Sequence, residues 1–77
     1  MTRLRLVPYR DLARVAQAVG FHPVRREGSH TTFRNAEGRI VVIPDHGSRV
    51  IVRPLLRKTI RDLGLGVEEY HQILERL

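Results

Sequence analysis

The sequence contains no cysteine, so a disulfide framework and a thiolate metal site are both excluded. That absence is compatible with a reducing cytoplasm, where we expect the protein to reside. No apolar run is long enough to span a bilayer. The first six residues carry charge but lack the apolar core of a signal peptide. There are no repeats, no low-complexity tracts and no interdomain linker. The four histidines have no spacing that suggests a metal site, so neither metal nor cofactor is expected. Acidic residues are few, eight against fourteen basic ones, which leaves a net charge of +6. Lysine is nearly missing too: Lys58 is the only one, and the other thirteen cations are arginine.

What is present describes a small folded unit. Seventy-seven residues suit one domain over 1–77. A chain of this size buries roughly 60–65% of its unfolded surface, enough for one core but not for a deep internal site. A hydrophobic fraction of 42% is ordinary for a folded protein. The basic excess calls for an anionic partner, either nucleic acid or an acidic protein. Arginine grips phosphate through a planar fork of donors that lysine cannot reproduce.

Hydrophobic periodicity predicts a helix over 8–19, with Pro8 at its first position and Leu12, Val15, Ala16 and Val19 as its apolar stripe. Gly20 supplies a left-handed stop, and Phe21 folds back on the helix end. Three short strands follow, over 21–26, 30–35 and 39–44. Gly28-Ser29 and Ala36-Glu37-Gly38 are the turns. Pro23 points to an edge position for the first strand. Val50-Ile51-Val52 is β-prone but too short to assign. A second helix over 54–64 turns Leu56, Thr59, Ile60 and Leu63 inward, and a last helix over 67–77 turns Val67, Tyr70, Leu74 and Leu77 inward. Glu68 and Glu69 suit the positive end of that last helix. The expected fold is α+β, in the order α-β-β-β-α with a C-terminal helical extension. Helices cover one face of an antiparallel meander and leave the other face open.

Strand parity then says where the candidate residues point. Phe33 is the only large apolar residue of the second strand, so Thr31 and Phe33 face the helices. His30, Thr32 and Arg34 share the open face. Pairing through Gly38 sets Phe33 beside Val41 and Ile43, which leaves Ile40 and Val42 exposed unless the third strand is buried on both sides. Exposed apolar residues on a basic surface are a mark of protein contact. Arg53, Arg57 and Arg61, with Lys58 beside them, form a positive stripe on the second helix. Such a stripe is either a solvated face or a set of phosphate contacts.

The segment Gly28-Ser29-His30, the Gly20-Phe21 helix end, the Pro44-Asp45-His46 strand end and the run Leu63-Gly64-Leu65-Gly66-Val67-Glu68-Glu69-Tyr70 occur in an order and spacing that resembles the HicA family of toxin–antitoxin mRNA interferases. The resemblance implies a double-stranded-RNA-binding-domain-like fold, cleavage of mRNA, and inhibition by a HicB-type antitoxin that covers the active site. It also implies that the histidine of the Gly-Ser-His segment, here His30, is catalytic. The chain departs from the family at the start of the second helix, where Gly-Thr is usual and Pro54-Leu55 stands. It departs again just before that helix, where a polar segment is usual and Val50-Ile51-Val52 stands.

RNA cleavage by 2′-OH attack needs proton transfer and a cation for the developing charge, and no metal. Histidine suits the first because its ordinary pKa is about 6.5. We therefore expect His30 to move the proton, with Arg26 or Arg34 on the phosphate. Ser29, Arg57 and Arg61 are further RNA contacts, and His46 is a second proton-transfer group or an ordinary loop histidine. The competing function is a non-catalytic RNA-binding module of the same fold, which would read duplex RNA by shape and phosphate contacts. A module for protein contact alone, using Ile40 and Val42, is the third.

Overall fold

The computed structural model describes residues 3–77; Met1 and Thr2, the start of the N-terminal hexapeptide read above, lie outside them. The elements are α1 (Tyr9–Ala18), β1 (His22–Glu27), β2 (His30–Arg34), β3 (Ile40–Pro44), α2 (Arg53–Asp62) and α3 (Val67–Arg76). This is the α+β layout expected, a helix, an antiparallel meander and two further helices, like a double-stranded-RNA-binding domain. Pro8 is not the first helical residue. It stands just before α1 with an extended ψ of 173° and accepts the first N–H bonds, from Asp11 and Leu12. Gly20, at φ +93°, reverses the chain, and the Phe21 N–H returns to the Ala16 carbonyl at 3.0 Å. Phe21 is thereby spent on the core, and β1 starts one residue later.

The sheet runs β1-β2-β3, so β1 is an edge, as Pro23 requires. Register pairs Phe33 with Val41 and Thr31 with Ile43, and all four are buried. Ile40 and Val42 point the other way and are 58% and 46% exposed, which rules out a third strand buried on both faces. A bulge does occur, but in β1, where Val24 is the extra residue between Pro23 and Arg25. Parity in β2 is therefore undisturbed.

The helices cover the Phe33 face. Leu12, Val15 and Ala16 of α1 and Leu56, Thr59 and Ile60 of α2 are almost wholly buried, and Leu63 lies just past α2 in the same core. In α3, Tyr70 is buried, while Val67 and Leu74 are only partly so and Leu77 is 42% exposed. Leu77 lies beyond the last helical residue, where the 3.6-residue period no longer aims it at the core. Gly66 has no side chain with which to cap α3. Its N–H instead donates to the Glu69 carboxylate at 3.0 Å, the reciprocal half of a capping box.

The segment before α1 is also part of the core, which periodicity did not show. Leu4 and Val7 are buried. The Ile51 N–H donates to the Val7 carbonyl at 2.9 Å, and Val50 forms a single bridge with Pro8. Residues 50–52 are therefore a connector rather than a strand. On the other side, the Tyr70 hydroxyl donates to the Arg5 carbonyl at 2.7 Å, and the Arg5 N–H donates to Nε2 of His71 at 3.1 Å.

Burial pushes the Tyr70 hydroxyl up to about 12 from its ordinary 10. A raised folded-state pKa means that the folded protein holds the proton more tightly than the unfolded chain. The resulting stabilisation is complete below pH 10 and is lost as pH rises through about 12. Tyr70→Phe is expected to cost about 1–3 kcal/mol at neutral pH, because the Arg5 carbonyl loses its partner. Thermal melts across pH 8–12 check both points: the wild type should weaken at the alkaline end and the variant should not share that fall. A variant as stable as wild type at pH 7 would mean that the bond contributes nothing.

Candidate functional site

The turn between β1 and β2 has only two residues, Gly28 and Ser29, and closes on the Glu27–His30 pair. Gly28 adopts φ +57° and Ser29 keeps a negative φ, the pattern of a II′ turn, which needs glycine at its first position. The turn is tied to the end of β3, because the Asp45 N–H donates to the Ser29 carbonyl. His30 is thus the first residue of a strand whose backbone is held on both sides.

Its side chain stands on the open face, as parity predicted. His30 is exposed and lies across from Pro44 on β3. No hydrogen bond, ion pair or ring contact engages its imidazole among the described residues. Thr32 and Arg34 share this face, and Arg34 is exposed two positions along β2. Residues two apart on a strand are separated by roughly 6.6 Å.

Arg26 is not on that face. Register sets it opposite buried Thr31, on the helix-covered side. Its Nη2 donates to Asp45 Oδ2 at 2.9 Å, and its Nη1 reaches Thr31 Oγ1 at 3.5 Å, the outer limit for a hydrogen bond. The Gly47 N–H also donates to Asp45, at 3.0 Å. That backbone bond and the Arg26 guanidinium hold the Asp45 carboxyl below its ordinary pKa. Asp45 thus joins β1, the Gly28-Ser29 turn and the following loop, and Arg26 is engaged in holding that junction.

Two open-face neighbours of His30 escaped the sequence reasoning. Glu27 is its direct cross-strand partner, and Arg25, paired with Thr32, lies diagonal to it. Arg25 and Glu27 form an exposed ion pair with each other. The two-residue turn was the available signal, because it dictates which residues of β1 meet β2.

The other predicted contacts are dispersed. His46 is exposed on the loop after β3, in a groove with Pro44 and Arg49. Arg57 and Arg61 are exposed on α2, whose buried side packs on the core. They therefore face outward from the helix layer, on the far side of the sheet from His30. An RNA touching both would have to pass around an edge of the domain. Lys58 is paired with Asp62 at 2.7 Å.

Residues 9–65 match the sequence model of the HicA toxin of bacterial toxin–antitoxin systems. The chain belongs to the HicA toxin family. The match takes in α1, the whole sheet, α2 and both departures, Val50-Ile51-Val52 and Pro54-Leu55. It stops at Leu65, so the part of the resemblance carried by residues 66–70 lies outside it. No curated protein matches the sequence. As a HicA-family toxin the chain has an antitoxin as its partner, and among the described residues no helix is long and apolar enough to cross a membrane.

Proposed function

We propose that this toxin is an endoribonuclease, an mRNA interferase that works in the cytoplasm without a metal and is inhibited by a HicB-type antitoxin. The observation that carries this is the placement of His30. In a HicA-family chain, the histidine of the Gly-Ser-His turn stands exposed and unengaged on an open sheet face, on a backbone held from both sides. A group that must accept a proton from a flexible polymer needs that access and that fixity.

In the proposed reaction His30 takes the proton of a ribose 2′-OH. The 2′-oxygen bonds to the adjacent phosphorus, and the bond from phosphorus to the 5′-oxygen breaks. The departing oxygen takes a proton from a second donor, for which His46 and solvent are the candidates. Arg34, and Arg25 once it leaves Glu27, supply positive charge for the phosphate on the same face. Ser29 contributes through the backbone of the turn. Arg57 and Arg61 serve RNA held elsewhere on the surface, and Arg26 keeps the turn in place.

The test is incubation with 5′-labelled mRNA in excess EDTA. The expected products carry a 2′,3′-cyclic phosphate on one fragment and a 5′-hydroxyl on the other. Binding that weakens with salt but never leads to cleavage would favour the RNA-binding module instead. Cleavage only after a divalent ion is restored would overturn the metal-free mechanism.

A further inference from the structure

The two edges of the sheet are built differently. On β1, Pro23 removes a donor, the Val24 bulge breaks the ladder, and Arg25, Arg26 and Glu27 line the rest. These are the devices that stop an edge from pairing with another chain. On β3 none of them occurs before Pro44: Ile40, Val41, Val42 and Ile43 are continuous, unbulged and apolar.

The ladder also leaves β3 with unused donors. The Asn35 N–H bonds to the Arg39 carbonyl, which phases the alternation. Val41 and Ile43 then aim their backbone groups at β2, and Ile40 and Val42 aim theirs away from the sheet. β3 is an edge paired only with β2, so no other strand accepts from the outward Ile40 and Val42 N–H groups. Their side chains, 58% and 46% exposed, stand beside this open ladder on the His30 face. Past Pro44 the apolar surface continues into a groove of about 230 Å³ formed with Val50, Val52 and Leu55. Exposed Arg34 and Arg39 flank the strand, and Arg49 lines the groove.

We infer that the free edge of β3 is the docking site of the antitoxin, which adds an extended, acidic segment as a fourth strand. Strand addition uses the unpaired Ile40 and Val42 groups for affinity and the apolar side chains for register. The flanking arginines select carboxylates on the incoming segment. They also argue against a second copy of this chain as occupant, because self-pairing would bring like charges together on a protein of net charge +6. A strand added to β3 would run about 10 Å from β2, close enough for its open-face side chains to screen His30. Only that inhibitory consequence rests on the proposed role of His30; the docking itself does not.

The test is binding of the purified cognate antitoxin, with no RNA present. In the complex, the Ile40 and Val42 amides should gain strong protection from hydrogen exchange, while both exchange freely in the toxin alone. Val42→Pro removes one outward donor without touching the ladder to β2, and should weaken antitoxin binding by at least about tenfold. Val42→Thr keeps the donor and should bind nearly as wild type. If Val42→Pro perturbs the fold, Val42→Glu is read in its place, with the same loss expected because its carboxylate repels an acidic segment. Unchanged exchange at Ile40 and Val42 on antitoxin binding would overturn the inference. So would a concentration-dependent dimer of the free toxin that Val42→Pro dissociates, since it would assign the edge to self-association.

Discussion

His30→Ala is expected to lower the rate of RNA cleavage by about 10²–10⁴-fold, the usual contribution of one positioned proton-transfer group. Its thermal midpoint and RNA affinity should stay at wild-type values. The structural reason is that nothing in the fold depends on the side chain. His30 is exposed, its imidazole has no bonding partner among the described residues, and the turn is held by Gly28 and by the Asp45 N–H rather than by the ring. Surface changes of this kind typically alter stability by less than about 0.5 kcal/mol. Single-turnover cleavage, a melting curve and a salt titration of RNA binding on the same preparation separate the three quantities. Cleavage at the wild-type rate would remove His30 from the mechanism. A fall in rate accompanied by an equal fall in RNA affinity would make it a binding residue instead.

Phe33→Ala is expected to destabilise the domain by about 3–5 kcal/mol, the range for truncating a buried aromatic side chain. Phe33 is wholly buried on the helix-covered face of β2, opposite Val41, with the Tyr9 ring 6.4 Å away and tilted by 52°. At roughly 0.05–0.15 kcal/mol per residue, a domain this small has about 4–12 kcal/mol in total, so the variant should lose between about a quarter and all of its stability. Phe33→Leu should keep most of the stability because it leaves a smaller cavity. Urea denaturation of the three proteins, followed by circular dichroism, reads this directly. A loss of less than 1 kcal/mol for the alanine variant would show that the core closes over the gap or that Phe33 is not central to it. Because Phe33 is one strand position from Thr32 and three from His30, its loss should also lower activity, but through unfolding, which the melting curve distinguishes from the His30→Ala effect.

Elements were legible in the sequence where one physical signal dominated. The stripe of α1, the Gly20 stop and the inward set of α2 follow from period 3.6 and from glycine's access to positive φ. The open-face position of His30 followed from Phe33 alone, because a strand with one large apolar residue has only one sensible orientation. Boundaries were less legible: Pro8 and Phe21 each lie one residue outside the element to which their chemistry pointed. The burial of Leu4 and Val7 was not legible at all, since the groups bonded to their carbonyls, on Arg53 and Ile51, lie far along the chain. Periodicity carries no information about contacts at that separation.

The candidate site divides in the same way. The chain by itself determined that a basic, cysteine-free domain presents a histidine at a Gly-Ser turn, because composition and local turn chemistry are properties of adjacent residues. Only the tertiary structure decided which charges accompany that histidine. Register across the hairpin brought Glu27 and Arg25 to its face and turned Arg26 away toward Asp45, while helix packing placed Arg57 and Arg61 on the far side of the sheet. Those relations depend on which strands and layers meet, and hydrogen-bond pairing and burial settle that over the whole fold at once.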